Sequence, residues 1–259
     1  MNRNVIKAWV AVTYVVMVAV NYLANSLPLN GVRTGAVSDA YPSLFTPAGL
    51  TFSIWGLIYL LLGAHVLYQL GLFRGSDATC DNALLTKVGI YFSISSVANT
   101  AWVFAWHYGM IGLSLVLIVV ILGCLTVITG TVAAAQLTTR ERWLIGVPFG
   151  VYFGWTTVAT VANATVLLVS LGWDGFGLAD STWAVIVLII AMLIGTATML
   201  RHCDIAYGVV LVWAYLGIVL KHQSSDGWDG RYPAVTATAI ACLGIYVAGL
   251  VFILVRRRN

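Results

Sequence analysis

Eight apolar stretches, each long enough to form a membrane-spanning helix, constrain the fold of this chain more than any other feature. A helix needs about 20 predominantly apolar residues to cross the hydrocarbon core of a bilayer. The stretches are approximately residues 5–25, 47–72, 85–107, 109–135, 143–172, 181–200, 205–221 and 234–255. The sequence therefore predicts an all-α integral membrane protein with about eight transmembrane helices.

The small number of charged residues excludes a soluble domain. Only 8% of the residues are charged and 61% are hydrophobic, whereas about 25% of the residues of an average soluble domain are charged. The formal charge of +4 does not indicate nucleic-acid binding, because the basic residues lie between the apolar stretches and in the tail. The four cysteines lack C-x-x-C spacing, so we expect neither a disulfide framework nor a zinc site.

The distribution of lysine and arginine predicts the orientation of the helices. Ten of these residues lie on the side that carries both chain ends, and three lie on the other side: Arg33, Lys221 and Arg231. Because cytoplasmic loops of membrane proteins carry an excess of basic residues, we expect both termini to be cytoplasmic, in a multi-pass protein of the cell membrane. The long first loop, residues 26–46, then faces outward.

The central parts of the helices from residue 48 onward contain no charged side chain. Ion-coupled transporters usually bury such groups, so ion coupling is disfavoured. A retinal Schiff base requires a lysine in the middle of a helix, whereas Lys87 and Lys221 lie near helix ends. The sequence contains neither paired carboxylates nor a Ser/His/Asp set, and therefore supports no enzymatic mechanism.

His65 is the one histidine inside a predicted span. It is a candidate axial ligand for haem iron, or alternatively a polar residue that forms a hydrogen bond to a neighbouring helix. No second histidine follows at i+3 or i+4, so we predict no metal site here.

Three predicted helices each present a face that contains tryptophan. Residues three or four positions apart lie on the same side of a helix. The faces consist of Trp55, Tyr59 and Gly63, of Asn99, Trp102 and Trp106, and of Trp155, Ala159 and Asn163. Each asparagine alone is explained by hydrogen bonding across helices, but three matching faces in one chain favour a shared aromatic pocket. The tryptophans near helix ends are expected to form interfacial belts; they are Trp9, Trp143, Trp173, Trp183 and Trp228.

With these motifs, the first five helices resemble the TspO/MBR family, which comprises tryptophan-rich sensory proteins and translocator proteins. The second-helix signature of the family is roughly P-P-x-W-x-F-x-x-x-W-x-x-x-Y-x-x-x-G. Trp55, Tyr59 and Gly63 match it in register here and are preceded by Pro47 and Phe52. The third-helix signature L-N-x-x-W and the fifth-helix pattern W-x-x-x-A-x-x-x-N are matched by Asn99 and Trp102 and by Trp155, Ala159 and Asn163.

The chain also departs from the family pattern. Phe52 precedes Trp55 by three residues rather than four, and Pro148 precedes Trp155 by seven rather than four. Three further helices after residue 178 have no counterpart in a five-helix TspO. We therefore interpret the chain as a divergent relative, with a TspO-like unit at 1–178 and, at 179–259, three additional helices packed on it and a basic tail.

The resemblance implies a five-helix bundle that binds a flat hydrophobic ligand, such as a porphyrin or haem, under a lid at residues 31–46. Trp55 and Trp155 would stack on the ligand, and Tyr59 and Asn99 would offer polar contacts. The expected ligand-binding residues are Phe52, Trp55, Tyr59, Asn99, Trp102, Trp106, Trp155, Ala159 and Asn163, with Arg33, Tyr41 and Phe45 at the lid and mouth.

A second hypothesis is a facilitator or transporter of a small apolar or amphipathic molecule, without ion coupling. Either function makes the bilayer and a hydrophobic small molecule the expected partners, with a homodimer as one possible assembly. The sequence does not distinguish these two functions.

Overall fold

The computed structural model describes residues 3–27, 29–75 and 78–258, and it is helical almost throughout. The α-helices of these residues are α1 (Arg3–Ser26), α2 (Thr34–Asp39), α3 (Ile54–Leu70), α4 (Asn82–His107), α5 (Ile111–Ala133), α6 (Thr139–Glu141), α7 (Val147–Ser170), α8 (Asp180–His202), α9 (Ile205–Gln223) and α10 (Pro233–Arg258). Short 3₁₀ segments lie at Leu29–Gly31, Gly49–Ser53 and Gly175–Gly177.

Within the described residues, eight helical segments are long and apolar enough to cross a membrane. They are Arg3–Ser26, Gly49–Leu70, Asn82–His107, Ile111–Ala133, Thr139–Ser170, Asp180–His202, Ile205–Gln223 and Pro233–Arg257. The predicted all-α fold with eight spans is thereby confirmed. We call the side that carries the start of α1 and the end of α10 the terminal face, and the opposite side the distal face.

The first five spans form a closed ring. Helix α1 packs against α3 and α4, α4 packs against α5, α5 packs against α7, and α7 returns to α3. A ring of this kind encloses an interior between the five spans.

The start of the fifth span combines a capping box with a wide turn. The Thr138 hydroxyl accepts a hydrogen bond from the Glu141 amide, while the Glu141 carboxylate accepts one from the Thr138 amide. A π-helical turn at Arg142–Gly146 follows, and Pro148 lies shortly after it, at the start of α7.

Proline has no N–H to donate to the carbonyl four residues earlier, which here belongs to Leu144. Nδ1 of His65 lies 3.0 Å from that carbonyl oxygen and donates to it.

Glu141 connects two loops at the terminal face. Its side chain is 1% exposed and accepts hydrogen bonds from Tyr68 Oη (3.0 Å), Thr79 Oγ1 (2.7 Å) and the amide of Cys80 (2.7 Å). A carboxylate can be buried when several donors replace its water. These bonds fix the loop after α3 against the start of the fifth span.

The three C-terminal helices pack on the ring mainly through α9. Helix α9 lies along α7, and α10 packs against both α8 and α9. Asp204 caps α9, because its carboxylate accepts a hydrogen bond from the Tyr207 amide (3.1 Å); burial raises the pKa of this carboxyl group. A Cβ on Gly154 of α7 would lie 2.9 Å from the carbonyl oxygen of Tyr207 and 3.0 Å from Cβ of Val210. The two helices approach this closely only because residue 154 has no side chain.

Residues 29–48 fold over the distal end of the ring, and we call this segment the cover. Asn30 donates to the carbonyl of His107 at the end of α4 (3.0 Å). Helix α9 holds the other end, since the Ala48 amide donates to Gly217 O (3.0 Å) and Lys221 pairs with Asp39 (2.5 Å). The cover therefore connects the five-helix ring to the C-terminal helices.

Replacing Gly154 with alanine tests whether the contact between α7 and α9 supports the fold. We expect Gly154→Ala to lower the thermal unfolding temperature in detergent, because overpacking against backbone costs about 1–3 kcal/mol. Gly123→Ala in α5 is the matched control, since a Cβ there has nothing within 4 Å and alanine favours helix by up to about 1 kcal/mol. Equal unfolding temperatures for the two variants would contradict the packing described here.

Candidate ligand-binding site

An aromatic cluster centred on Trp55 fills the distal half of the ring. The Trp55 ring stacks on Tyr59 of the same helix, with centroids 5.7 Å apart and planes 17° apart. Its centroid lies 6.1 Å from that of Trp102 on α4 and 6.2 Å from that of Trp155 on α7, which it meets edge-on at 86°. The three tryptophan faces predicted from helical spacing thus meet at one place inside the ring.

A cavity of about 30 Å³ lies next to this cluster and is almost entirely apolar. We call it the aromatic cavity. Its walls come from the 3₁₀ segment Gly49–Ser53, α3, α4, α7 and the cover, and consist of Ser38, Pro47, Phe52, Trp55, Trp102, Trp106, Trp155, Val158, Ala159, Ala162, Asn163 and Val166. The side chains of Ala159 and Ala162 are the smallest on the α7 part of the wall.

Asn163 fixes one tryptophan of the wall in position. Its Oδ1 accepts a hydrogen bond from Nε1 of Trp102 (3.1 Å), and its Nδ2 donates to Oγ of Ser114 on α5 (3.0 Å). Asn163 is 2% exposed, so both bonds lie in the protein interior. They link α4, α5 and α7 at the depth of the aromatic cavity.

Asn99 likewise connects helices of the ring through its side-chain amide. Its Oδ1 accepts from Nδ2 of Asn21 on α1 (2.8 Å), and its Nδ2 donates to Oη of Tyr152 on α7 (3.2 Å). The Tyr152 ring in turn meets Trp55 at 6.1 Å and 67°. The expectation that Asn99 and Asn163 form hydrogen bonds across helices is confirmed.

Trp155 carries a polar group without a partner. The residue is 2% exposed, and its buried Nε1 makes no hydrogen bond to any of the described residues. Its ring meets that of Phe52 edge-on, with centroids 5.6 Å apart. Leaving a buried donor unpaired costs about 1–3 kcal/mol. An acceptor atom placed in the aromatic cavity would remove that cost.

The cover closes the distal end of the aromatic cavity. Nε1 of Trp106 donates to the backbone oxygen of Thr34 at the start of α2 (3.0 Å). Ser38 and Pro47 then form the roof of the cavity. The position of Trp106 therefore depends on the cover, whereas the position of Trp102 depends on Asn163.

Seven of the nine ligand-binding residues predicted from the sequence line the aromatic cavity: Phe52, Trp55, Trp102, Trp106, Trp155, Ala159 and Asn163. The other two, Tyr59 and Asn99, lie behind the wall. The three lid and mouth residues lie outside it. Arg33 is exposed at the N-cap of α2, Tyr41 is half-buried, and Phe45 is buried edge-on against Tyr215 of α9.

The glycine of the second-helix motif serves helix packing. A Cβ on Gly63 would lie 2.6 Å from Oη of Tyr14 on α1. That hydroxyl crosses over Gly63 and donates to the backbone oxygen of Tyr59 (2.8 Å). Within the motif, Trp55 therefore faces the cavity while Gly63 permits close contact with α1.

His65 lies away from the aromatic cavity. It is fully buried, and its ring packs edge-on against Phe149, with centroids 4.7 Å apart, and against Phe92 at 5.9 Å. One ring nitrogen is engaged with Leu144 O. Of the two roles considered from the sequence, the structure supports the hydrogen bond to a neighbouring helix.

Asn21 and Tyr152 support the site but were not predicted from the sequence. Asn21 orients Asn99 from α1, and Tyr152 connects Asn99 to Trp55. Both carried a usable signal, because Asn21 is an amide within an apolar helix and Tyr152 precedes Trp155 by three residues. The remaining wall residues, such as Val158 and Val166, are ordinary apolar residues of a membrane helix and carry no such signal.

Comparison with known protein families supports the resemblance inferred from the tryptophan motifs. The family of TSPO-like proteins matches this chain over residues 7–252. The chain belongs to the TSPO-like family. Comparisons with curated proteins and with solved structures gave no match. The family match runs past residue 178 and covers most of α10, so in this TSPO-like chain it includes the helices for which the motifs alone offered no counterpart. Family and fold together identify an integral membrane protein that binds or transports a ligand.

Asn163 offers a direct test of the polar framework of the site. Asn163→Leu removes the acceptor of the Trp102 indole, and we expect it to destabilise the protein by about 1–3 kcal/mol, the cost of an unpaired buried donor. Thermal unfolding in detergent measures the effect. Asn25→Leu is the control, because Asn25 is exposed on α1 and bonds only to the carbonyl of Asn21 four residues earlier. Similar losses in the two variants would show that the framework adds nothing beyond the loss of an amide.

Proposed function

We propose that the protein binds a flat, mainly apolar ring compound in the aromatic cavity, and that porphyrins belong to the class it accepts. The observation that carries the proposal is the wall itself, in which four indoles and Phe52 surround one apolar space. Indole faces suit flat ring systems, and aromatic contacts contribute beyond the area they bury. The unpaired N–H of Trp155 adds a single donor for a ring nitrogen or a carbonyl oxygen.

Binding of a large ring requires part of the wall to move. Sites for small molecules usually measure about 300–1,000 Å³, whereas the aromatic cavity measures about 30 Å³. Trp102, Trp106 and Trp155 are at most 5% exposed, and hydrogen bonds hold the first two. Phe52 and Trp55 are only partly buried. We therefore assign them to the part of the wall that yields to the ligand.

The binding test compares tryptophans inside and outside the cavity. An aromatic contact is worth about 0.5–1.5 kcal/mol beyond its area, and 1.4 kcal/mol is about tenfold in affinity. We expect Trp55→Leu and Trp155→Leu to weaken protoporphyrin binding by roughly two- to tenfold, as measured by quenching of protein fluorescence. Trp155→Phe should cause a smaller loss, since it keeps a six-membered aromatic ring and removes the pyrrole ring with its N–H.

Trp9→Leu is the matched control for these variants, because Trp9 is 56% exposed on α1. Its affinity for protoporphyrin should equal that of the wild type. Equal losses of affinity in all variants would indicate general destabilisation, and no loss in any of them would disprove the assignment of the aromatic cavity as the binding site.

A comparison of haem with metal-free protoporphyrin tests whether His65 binds the iron. Because His65 lies outside the cavity, we expect similar affinities for the two compounds and an unchanged haem absorption band in His65→Ala.

We also propose that the terminal face is cytoplasmic in the cell membrane, since it carries ten of the thirteen basic residues. Cys203 at this face is partly exposed, while Cys80, Cys124 and Cys242 are buried. Burial also raises the pKa of the Cys80 thiol to about 11, so that few Cys80 thiolates exist at neutral pH.

Thiol labelling therefore reports the orientation. A membrane-impermeant maleimide added to intact cells should leave Cys203 unlabelled and should label it after lysis. In Ser225→Cys, which places a thiol at an exposed position of the distal face, labelling should occur before lysis. The reverse pattern would show that the terminal face is external.

A further inference from the structure

A second, larger cavity opens at the distal face. It measures about 540 Å³, which lies within the usual range for small-molecule sites. Part of the cover, α7, α8 with the turn between them, and the loop between α9 and α10 enclose it. We call it the distal cavity. Four of its wall residues are Trp173, Trp183, Trp228 and Tyr232.

The wall formed by Trp173 and Trp183 is held rigidly. Their ring centroids lie 4.9 Å apart with planes at 56°, and Nε1 of Trp183 donates to the backbone oxygen of Gly175 (2.6 Å). Gly175 has φ of +63°, and a Cβ there would lie 2.8 Å from the Trp183 ring. A glycine is required at 175 both for this backbone conformation and for the contact with the indole.

The opposite wall is also fixed by its loop. Trp228 and Tyr232 meet edge-on with centroids 5.4 Å apart. The amide of Trp228 donates to the Lys221 carbonyl (2.9 Å), and the carbonyl of Trp228 accepts from the Arg231 amide (3.0 Å). Both aromatic pairs are therefore in place before any ligand arrives, which lowers the entropic cost of binding.

Asp180 is the only charged residue among the described residues that line the distal cavity. It is exposed in the first turn of α8. Aromatic rings attract cations to their faces, and the attraction is strongest for tryptophan. Rigid aromatic walls with one carboxylate at the rim are thus suited to a cation and unsuited to an anion.

An interfacial belt does not account for this arrangement. Belt tryptophans anchor a helix individually at the membrane surface, as the 56% exposure of Trp9 and the 64% exposure of Trp143 illustrate. Trp173, Trp183 and Trp228 are instead partly buried, and segments about 50 residues apart bring them to one concavity. The belt predicted for these three residues gives no reason for that convergence.

We propose that the distal cavity binds an organic ammonium cation that carries an apolar chain. The ammonium group lies between the aromatic pairs near Asp180, and the chain runs along the apolar side chains of α7 and α8. A free cationic amphiphile and the choline headgroup of a lipid share this chemistry. The site is separate from the aromatic cavity, and the proposal does not rest on the function proposed above.

The test uses the full-length protein in uncharged maltoside detergent with radiolabelled hexyltrimethylammonium as the probe. We expect saturable binding that unlabelled probe displaces and that hexyl sulfate or hexanol at equal concentration does not. Asp180→Asn should weaken binding roughly two- to fivefold at low ionic strength, as expected for an exposed charge pair. Trp173→Leu should weaken it roughly two- to tenfold, as expected for a cation–π contact.

Two variants serve as controls. Asp226→Asn removes an exposed acid at the distal face that does not line this cavity, and Trp143→Leu removes an exposed tryptophan at the terminal face. Both should bind the probe like the wild type, and thermal unfolding should show that all four variants are folded. Absence of saturable binding, equal displacement by hexanol or hexyl sulfate, or equal effects of Asp180→Asn and Asp226→Asn would overturn the proposal.

Short-chain lipids identify the source of the cation. Displacement of the probe by dihexanoyl phosphatidylcholine but not by dihexanoyl phosphatidylglycerol would support a choline lipid as the occupant. Displacement by neither lipid would support a free cationic amphiphile. Displacement by both would show recognition of the lipid chains rather than the ammonium group, and would count against the proposal.

Discussion

The arrangement of this protein depends on one constraint: a polar group inside the bilayer must find its partner within the protein. Asn99 and Asn163 each connect helices that are distant in sequence, and Trp102 takes its position from one of them. At the terminal face, the Glu141 carboxylate accepts hydrogen bonds from Tyr68 and from the amide of Cys80. His65 donates to the carbonyl of Leu144, to which Pro148 cannot donate. Hydrophobic contacts alone would not fix the ring, because lipid tails are as apolar as the helix surfaces. The amide pairs supply the directional bonds that do.

In the aromatic cavity, the residues that would contact a ligand also pack against one another. Trp55 touches four other aromatic rings, so any ligand that reaches it must replace contacts already made within the protein. The net affinity is then the difference between two sets of similar interactions. Phe52 and Trp55 are partly exposed, whereas Trp102, Trp106 and Trp155 are buried, so a displacement of the first two would break few contacts of the others. In the proposed complex, a hydrogen bond to the unpaired donor of Trp155 would favour the bound form.

Helical periodicity made the fold and most of the aromatic wall predictable from the sequence. The eight spans follow from length and hydropathy, and Trp55, Trp102 and Trp155 follow from the three- and four-residue spacing on their helices. Tyr59 stacks on Trp55, as their shared face predicts. The close contact of Gly63 with Tyr14 could not be predicted from spacing, because Tyr14 comes from another helix. The distal cavity was not predictable. Trp173, Trp183 and Trp228 lie in turns or near helix ends, where no periodicity indicates which residues will meet.

The cover is shared by the two cavities. Ser38 and Pro47 form the roof of the aromatic cavity, while Pro42 and Phe45, which lie between them in the sequence, belong to the wall of the distal cavity. A molecule that shifts this segment from one side changes the shape offered on the other. Thermodynamic linkage then requires the effects to be mutual, so that each occupant alters the affinity for the other by the same factor. If both cavities bind as proposed, the cover therefore couples a site of the five-helix ring to a site that the C-terminal helices help to form.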